Sequence, residues 1–205
     1  MGAGLWALAG GGVLVLAVLA IWWFWSASPE DLIDKPTLSP AEIRALAIGC
    51  LLHEDMNVRV RASTKLASLG ASAVPVLKDL ALTYSNPRLR AAVLDVLKAI
   101  DVEASAQVVE KMMTDSDAAV RQRAVEAAAG MTDPRVSAAL QQTVTDPDTV
   151  VRSRAVQALS NADPAVAVPA LESFLKDSNP EVRWHAARRL KTMTGRDYDP
   201  GMPKR

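Results

Sequence analysis

An arginine recurs every 31 residues along this chain, at Arg59, Arg90, Arg121, Arg152 and Arg183. A fixed period of this length signals an array of small helical units. It constrains the fold more than composition can, because each unit must bury its apolar face against the next. The surroundings of the arginine keep the same register. Val58, Leu89, Val120, Val151 and Val182 stand directly before it. Asp55, Asn86, Asp117, Asp148 and Asn179 stand four positions earlier, and Leu66, Leu97, Ala128, Leu159 and Leu190 seven positions later.

The recurrence translates into local structure. Asp and Asn are good helix N-caps, since their side-chain oxygens accept from the exposed N–H groups of the first turn. Pro87 and Pro180 follow two of these caps, at the first helical position where a missing N–H costs nothing. Each unit therefore opens a helix whose buried stripe is Val or Leu, a small residue, then Leu, at i, i+4 and i+8. Ala62, Ala124, Ala155 and Ala186 hold the middle of that stripe, with Val93 the exception.

Second helices are expected near 73–83, 102–114, 134–145 and 164–176, capped by Ser72, Asp101, Asp133 and Asp163. Ahead of them, Ser39-Pro40-Ala41-Glu42 forms a capping box that opens a leading helix to about Leu52. Gly195 stops the last helix. The fold class that follows is an all-α solenoid of about ten helices over 39–195. Residues 26–38 read as a polar linker, and 196–205 as a turn-rich tail, partly disordered beyond Tyr198.

The pattern Asp/Asn-x-x-Val-Arg-x-x-Ala-x-x-x-Leu resembles the bacterial HEAT-like repeats of phycobilin lyases, and the ending HAARRLKTMTGRDYDPG resembles their terminal units. In that family the repeated arginine reaches an acidic or backbone group at the turn. The resemblance thus implies a structural ladder made by the five arginines with the cap residues Asp55, Asn86, Asp117, Asp148 and Asn179. It also implies either an interaction scaffold or, alternatively, a bilin lyase-like or cofactor-loading subunit that acts with a partner.

Residues 5–25 are an uncharged run with Trp6 at one end and Trp22, Trp23 and Trp25 at the other. As a helix the run would span about 32 Å, enough for a hydrocarbon core of roughly 30 Å. Tryptophans at both ends suit the membrane interfaces. No Lys or Arg precedes the run, and Trp25 would hinder cleavage after Ala27, so the expectation for 1–25 is an uncleaved single-pass anchor in the plasma (inner) membrane. Lys35 and Arg44 beyond the run would favour cytoplasmic repeats. N-terminal anchors commonly keep their N-terminus in the cytoplasm, which places the repeats on the extracytoplasmic side.

Little else suggests chemistry. Lys plus Arg and Asp plus Glu balance at 23 each, which disfavours a nucleic-acid footprint. A lone Cys50 permits neither an internal disulfide nor a cysteine zinc site. His53 and His185 lie in different units, and the single His53-Glu54 pair falls short of the four that HEAT-like di-iron hydroxylases use. The expectation is a non-enzymatic scaffold with no catalytic, metal or cofactor site, whose partner is a protein at or in the membrane. Trp184 is the candidate contact, because its counterparts one period apart are Val60, Ala91, Gln122 and Ser153. The other reading of Trp184 is a terminal seal against Tyr198.

Overall fold

The computed structural model describes residues 28–160 and 162–200. The apolar run 5–25, with Trp6, Trp22, Trp23 and Trp25, lies outside the described residues. Among the described residues, no helix is long and apolar enough to cross a membrane.

Ten α-helices form among the described residues: α1 Pro40–Cys50, α2 Met56–Ser68, α3 Val74–Thr83, α4 Pro87–Ile100, α5 Val102–Met112, α6 Ala118–Ala128, α7 Pro134–Gln142, α8 Thr149–Leu159, α9 Pro164–Phe174 and α10 Pro180–Thr194. Helices α2, α4, α6, α8 and α10 pack side by side in one layer. Helices α1, α3, α5, α7 and α9 form the second. One continuous core from Ile33 to Leu190 fills the space between the layers. The stripe read from the period is its first-layer half: Val58, Ala62 and Leu66, and their counterparts down to Val182, Ala186 and Leu190, are at most 7% exposed. With so few aromatics, Phe174 is the largest fully buried side chain.

The caps explain where the helices begin. Asp55, Asn86, Asp117, Asp148 and Asn179 each accept from a backbone N–H of the first turn of their own helix. Ser39 and Glu42 close the capping box of α1. Asp101, Asp133 and Asp163 cap α5, α7 and α9. Ser72 does not cap α3. It sits in the 3-10 turn Gly70–Ser72 and its hydroxyl donates to the Leu69 carbonyl, so α3 begins after Ala73 with no side-chain cap. Helix α7 is also shorter than the apolar pattern suggests. The Thr143 hydroxyl donates to the Leu140 carbonyl at 2.6 Å, and the chain tightens into the 3-10 turn Thr143–Thr145. At the other end Gly195 adopts φ +73°, a left-handed cap that glycine takes without a Cβ clash.

The segment ahead of α1 differs from the sequence reading. Residues 28–38 are not a free linker. Pro29–Leu32 forms a 3-10 turn whose proline fills the space above Gly49, where an added Cβ would come within 2.5 Å of the Pro29 ring. Ile33 is buried in the core, and Leu32 and Leu38 pack against it. Lys35 pairs with Glu42 at 2.5 Å, and Asp34 accepts from Arg61 at 3.0 Å. The composition of the segment is polar, but Leu32, Ile33 and Leu38 join the core at the α1 end, where a preceding unit would otherwise pack. The tail is likewise tied down as far as it is described. Tyr198 packs against the core, and the Pro200 carbonyl accepts from Arg183 Nε at 2.8 Å.

Candidate functional site

The repeated arginine is the centre of the same hydrogen-bond pattern in each unit. In every unit its Nη1 donates back to the turn that precedes its own helix: Arg59 to the His53 and Glu54 carbonyls, Arg90 to Tyr84 and Ser85, Arg121 to Asp115 and Ser116, Arg152 to Asp146 and Pro147, and Arg183 to Asp177 and Ser178. In three units the remaining edge of the guanidinium reaches forward to an aspartate. Arg90 grips the carboxylate of Asp115, Arg121 that of Asp146, and Arg152 that of Asp177. Each contact is two-pronged, through Nε and Nη2, at 2.6 to 3.0 Å.

The acid of the ladder is therefore not the cap residue. It lies two positions earlier, at Asp115, Asp146 and Asp177. Geometry gives the reason: the cap oxygens of Asp117, Asp148 and Asn179 already face the first-turn N–H groups of their own helices. Each ladder carboxylate also accepts the N–H of the cap residue itself, at 2.8 to 2.9 Å. One aspartate thus receives the arginine of the unit before through its carboxylate. Its own carbonyl receives the arginine of the unit after. The signal was present in the sequence, since Asp115, Asp146 and Asp177 share the 31-residue spacing. The two earlier positions of that series, His53 and Tyr84, obscured it.

Burial sets the strength of the rungs. The Arg121 and Asp146 side chains are 11% and 6% exposed, and those of Arg152 and Asp177 10% and 1%. Donating to Asp177 raises the Arg152 pKa, and donating to Asp146 raises that of Arg121. Burial pushes Asp177 upward, but its bonds from Arg152 and from the Asn179 N–H outweigh it and leave the carboxyl below its ordinary value. Removing one partner of such a pair strands the other charge, which typically costs about 3–5 kcal/mol. Among the described residues no buried side-chain nitrogen or oxygen lacks a hydrogen-bond partner.

At the first unit His53 stands where later units carry aspartate. Its Nδ1 accepts the Asp55 N–H at 3.1 Å, as the ladder carboxylates do for their own caps, and its Nε2 lies 3.4 Å from Glu30. Among the described residues no group of three or more His, Cys, Asp or Glu could hold a metal ion.

Two surfaces remain. On the first layer, ion pairs link neighbouring helices, Arg123 with Asp95 and Arg154 with Glu126, and Arg61 pairs with Asp34 of the leading segment. Trp184 stands at its far end, 40% exposed, with His185 edge-on to its ring and the Arg188 guanidinium 5.4 Å above it. Tyr198 joins the core while Trp184 stays at the surface. On the second layer, a groove of about 860 Å³ opens between α5 and α7. Glu110, Lys111, Arg135 and Gln142 rim it, Ala138 lies in its wall, and the Arg121–Asp146 rung is at its base. Arg135 is held in place by Asp133 at 2.6 Å and by Glu103 at 2.5 Å.

Units of one length, stacked in two helical layers and pinned turn to turn, define a helical-repeat solenoid, a class whose extended surfaces do the binding. The family model for HEAT repeats matches residues 43–130 and 136–200, and the chain belongs to that family. Such repeats commonly serve as protein–protein interaction scaffolds. Among solved structures, the crystal structure of an engineered protein is 21% identical, with a TM-score of 0.47 over 82% of this chain and 89% of that one. No curated protein matches this chain.

Proposed function

We propose that this protein is a membrane-anchored scaffold that holds a protein partner at the membrane, as an accessory or assembly subunit of a larger complex. The observation that carries the reading is the groove between α5 and α7. It is rimmed by charges of both signs, and its floor is a rung that is already satisfied. A floor of saturated hydrogen bonds fits a docking surface better than a reacting site, because no buried polar group there is held in reserve. The apolar run 5–25 supports the anchor, and tethering to a membrane raises the effective concentration of a partner in the same bilayer. The repeats then stand on the extracytoplasmic side.

The test is purification of the full chain from detergent-solubilised membranes, beside an Ala138→Arg variant that fills the groove. A stoichiometric partner with the parent chain, lost with the variant while the helical signal and melting point hold, is the expected result. Purification of the parent chain alone, or a partner indifferent to Ala138→Arg, would overturn the reading.

A further inference from the structure

Leu52, Met56 and Val60 are 38%, 67% and 52% exposed, and they make up half of the large apolar side chains so exposed among the described residues. The others, Val102, Val150 and Trp184, lie far apart along the chain. The three fall within nine positions, in the turn after α1 and on the first turns of α2. Residues 28–30 lie against the same turn. Pro29 is seated on Gly49 and Glu30 reaches His53 at 3.4 Å.

We propose that this apolar edge of the first unit rests in the headgroup layer of the bilayer, beside the end of the apolar run. The inference depends on the reading that residues 5–25 cross the membrane. Only Ser26 and Ala27 separate Trp25 from Ser28. Three peptide steps reach about 10 Å at most. The headgroup region on each side of a hydrocarbon core is roughly 5–8 Å deep. From Ser28 onward no slack remains. Ile33 is in the core, Lys35 is paired with Glu42, and Asp34 is held by Arg61. A rigidly docked segment on so short a lead must bring the first unit to the bilayer surface. The side it presents there carries Leu52 and Met56.

The lipid chemistry follows from the neighbours. Glu30, Asp31, Glu54 and Asp55 are all exposed around the edge. Arg61 beside Val60 is paired with Asp34, so these carboxylates disfavour anionic lipid, and the contact is an apolar one with zwitterionic headgroups and the upper acyl chains.

The experiment uses the full chain in phosphatidylcholine vesicles, with a fluorophore on Met56→Cys, on Leu52→Cys or on Val150→Cys. Val150 is similarly exposed and also opens a first-layer helix, three units away. Cys50 is fully buried, and the parent chain sets its background labelling. Headgroup-labelled nitroxide lipid should dim the probes at 52 and 56 severalfold more than the probe at 150. Flotation of the same samples separates the two readings. If the chain floats but the probes at 52 and 56 respond no more than the one at 150, the surface is misassigned and the anchor stands. If the chain does not float, the anchor fails and takes this inference with it.

Discussion

Arg121 joins three acceptor groups of two successive turns: the Asp115 and Ser116 carbonyls behind it and the Asp146 carboxylate ahead. Arg59 makes only the backward half, to the His53 and Glu54 carbonyls, since position 84 is a tyrosine. The two residues occupy the same place in the repeat but should not be worth the same. Arg121→Ala should cost about 3 kcal/mol in urea melts, because it leaves the Asp146 carboxylate buried without its counter-charge. Arg59→Ala should cost about 1 kcal/mol, the loss of hydrogen bonds to neutral acceptors near solvent. Arg123→Ala, whose side chain is 43% exposed in its pair with Asp95, should stay within about 1 kcal/mol. Equal losses at 121 and 59 would show that the forward contact contributes nothing.

Acid should reach the same rungs. The folded Asp177 carboxyl lies below its ordinary value, so the unfolded chain takes up that proton first, near pH 3.9. Between there and the lower folded value the unfolded state binds more protons, and stability falls as the pH falls. The contribution of the rung is therefore complete above about pH 4 and is lost below it. Melts of Asp177→Asn should begin from lower stability at neutral pH and decline less steeply than the parent below about pH 4. Glu42, held down to about 2 chiefly by Lys35 and then by the Ser39 N–H, acts in the same window.

At the scale of elements, α1 shows how one side chain's absence decides a contact. A glycine inside a helix normally costs about 0.5–1 kcal/mol relative to alanine. Gly49 is tolerated because Pro29 occupies the space its Cβ would take. Gly49→Ala should therefore change sign with context. In a chain that starts at residue 39 it should raise the melting temperature, since only helix propensity is at stake. In a chain that starts at residue 28 it should lower it, by expelling the Pro29–Leu32 turn. A stabilising effect in both would mean that the turn is not seated on α1.

Over the whole molecule, the units are equivalent only in the middle. The first is closed by residues 28–38 and the last by the tail through Pro200. Terminal units of a solenoid need such faces, because each interior unit is stabilised from both sides. A fragment of residues 28–205 should be folded, helical and soluble. A fragment of residues 39–205 should melt several degrees lower, as it gives up the burial of Ile33 and of the leucines beside it, about 1.5–3 kcal/mol per fully buried side chain. Identical melting of the two fragments would show that the segment contributes nothing to the fold.

The amino-acid sequence by itself determined whatever repeats or is local. The 31-residue period set the number of units, Asp and Asn at the caps set where the first-layer helices start, and the apolar stripe set which face is buried. The caps and the stripe depend on residues within one or two turns of one another, and the period on order along the chain alone. Tertiary structure decided what depends on distant partners. Which of the periodic acids serves as the rung is decided by the guanidinium of Arg90, Arg121 or Arg152 reaching 25 residues ahead. Residues 28–38 became part of the fold only when the gap over Gly49 and the open end at α1 were in place to receive them. Their polar composition describes the side that meets water, and the few apolar residues among them count only once there is a core for them to cover.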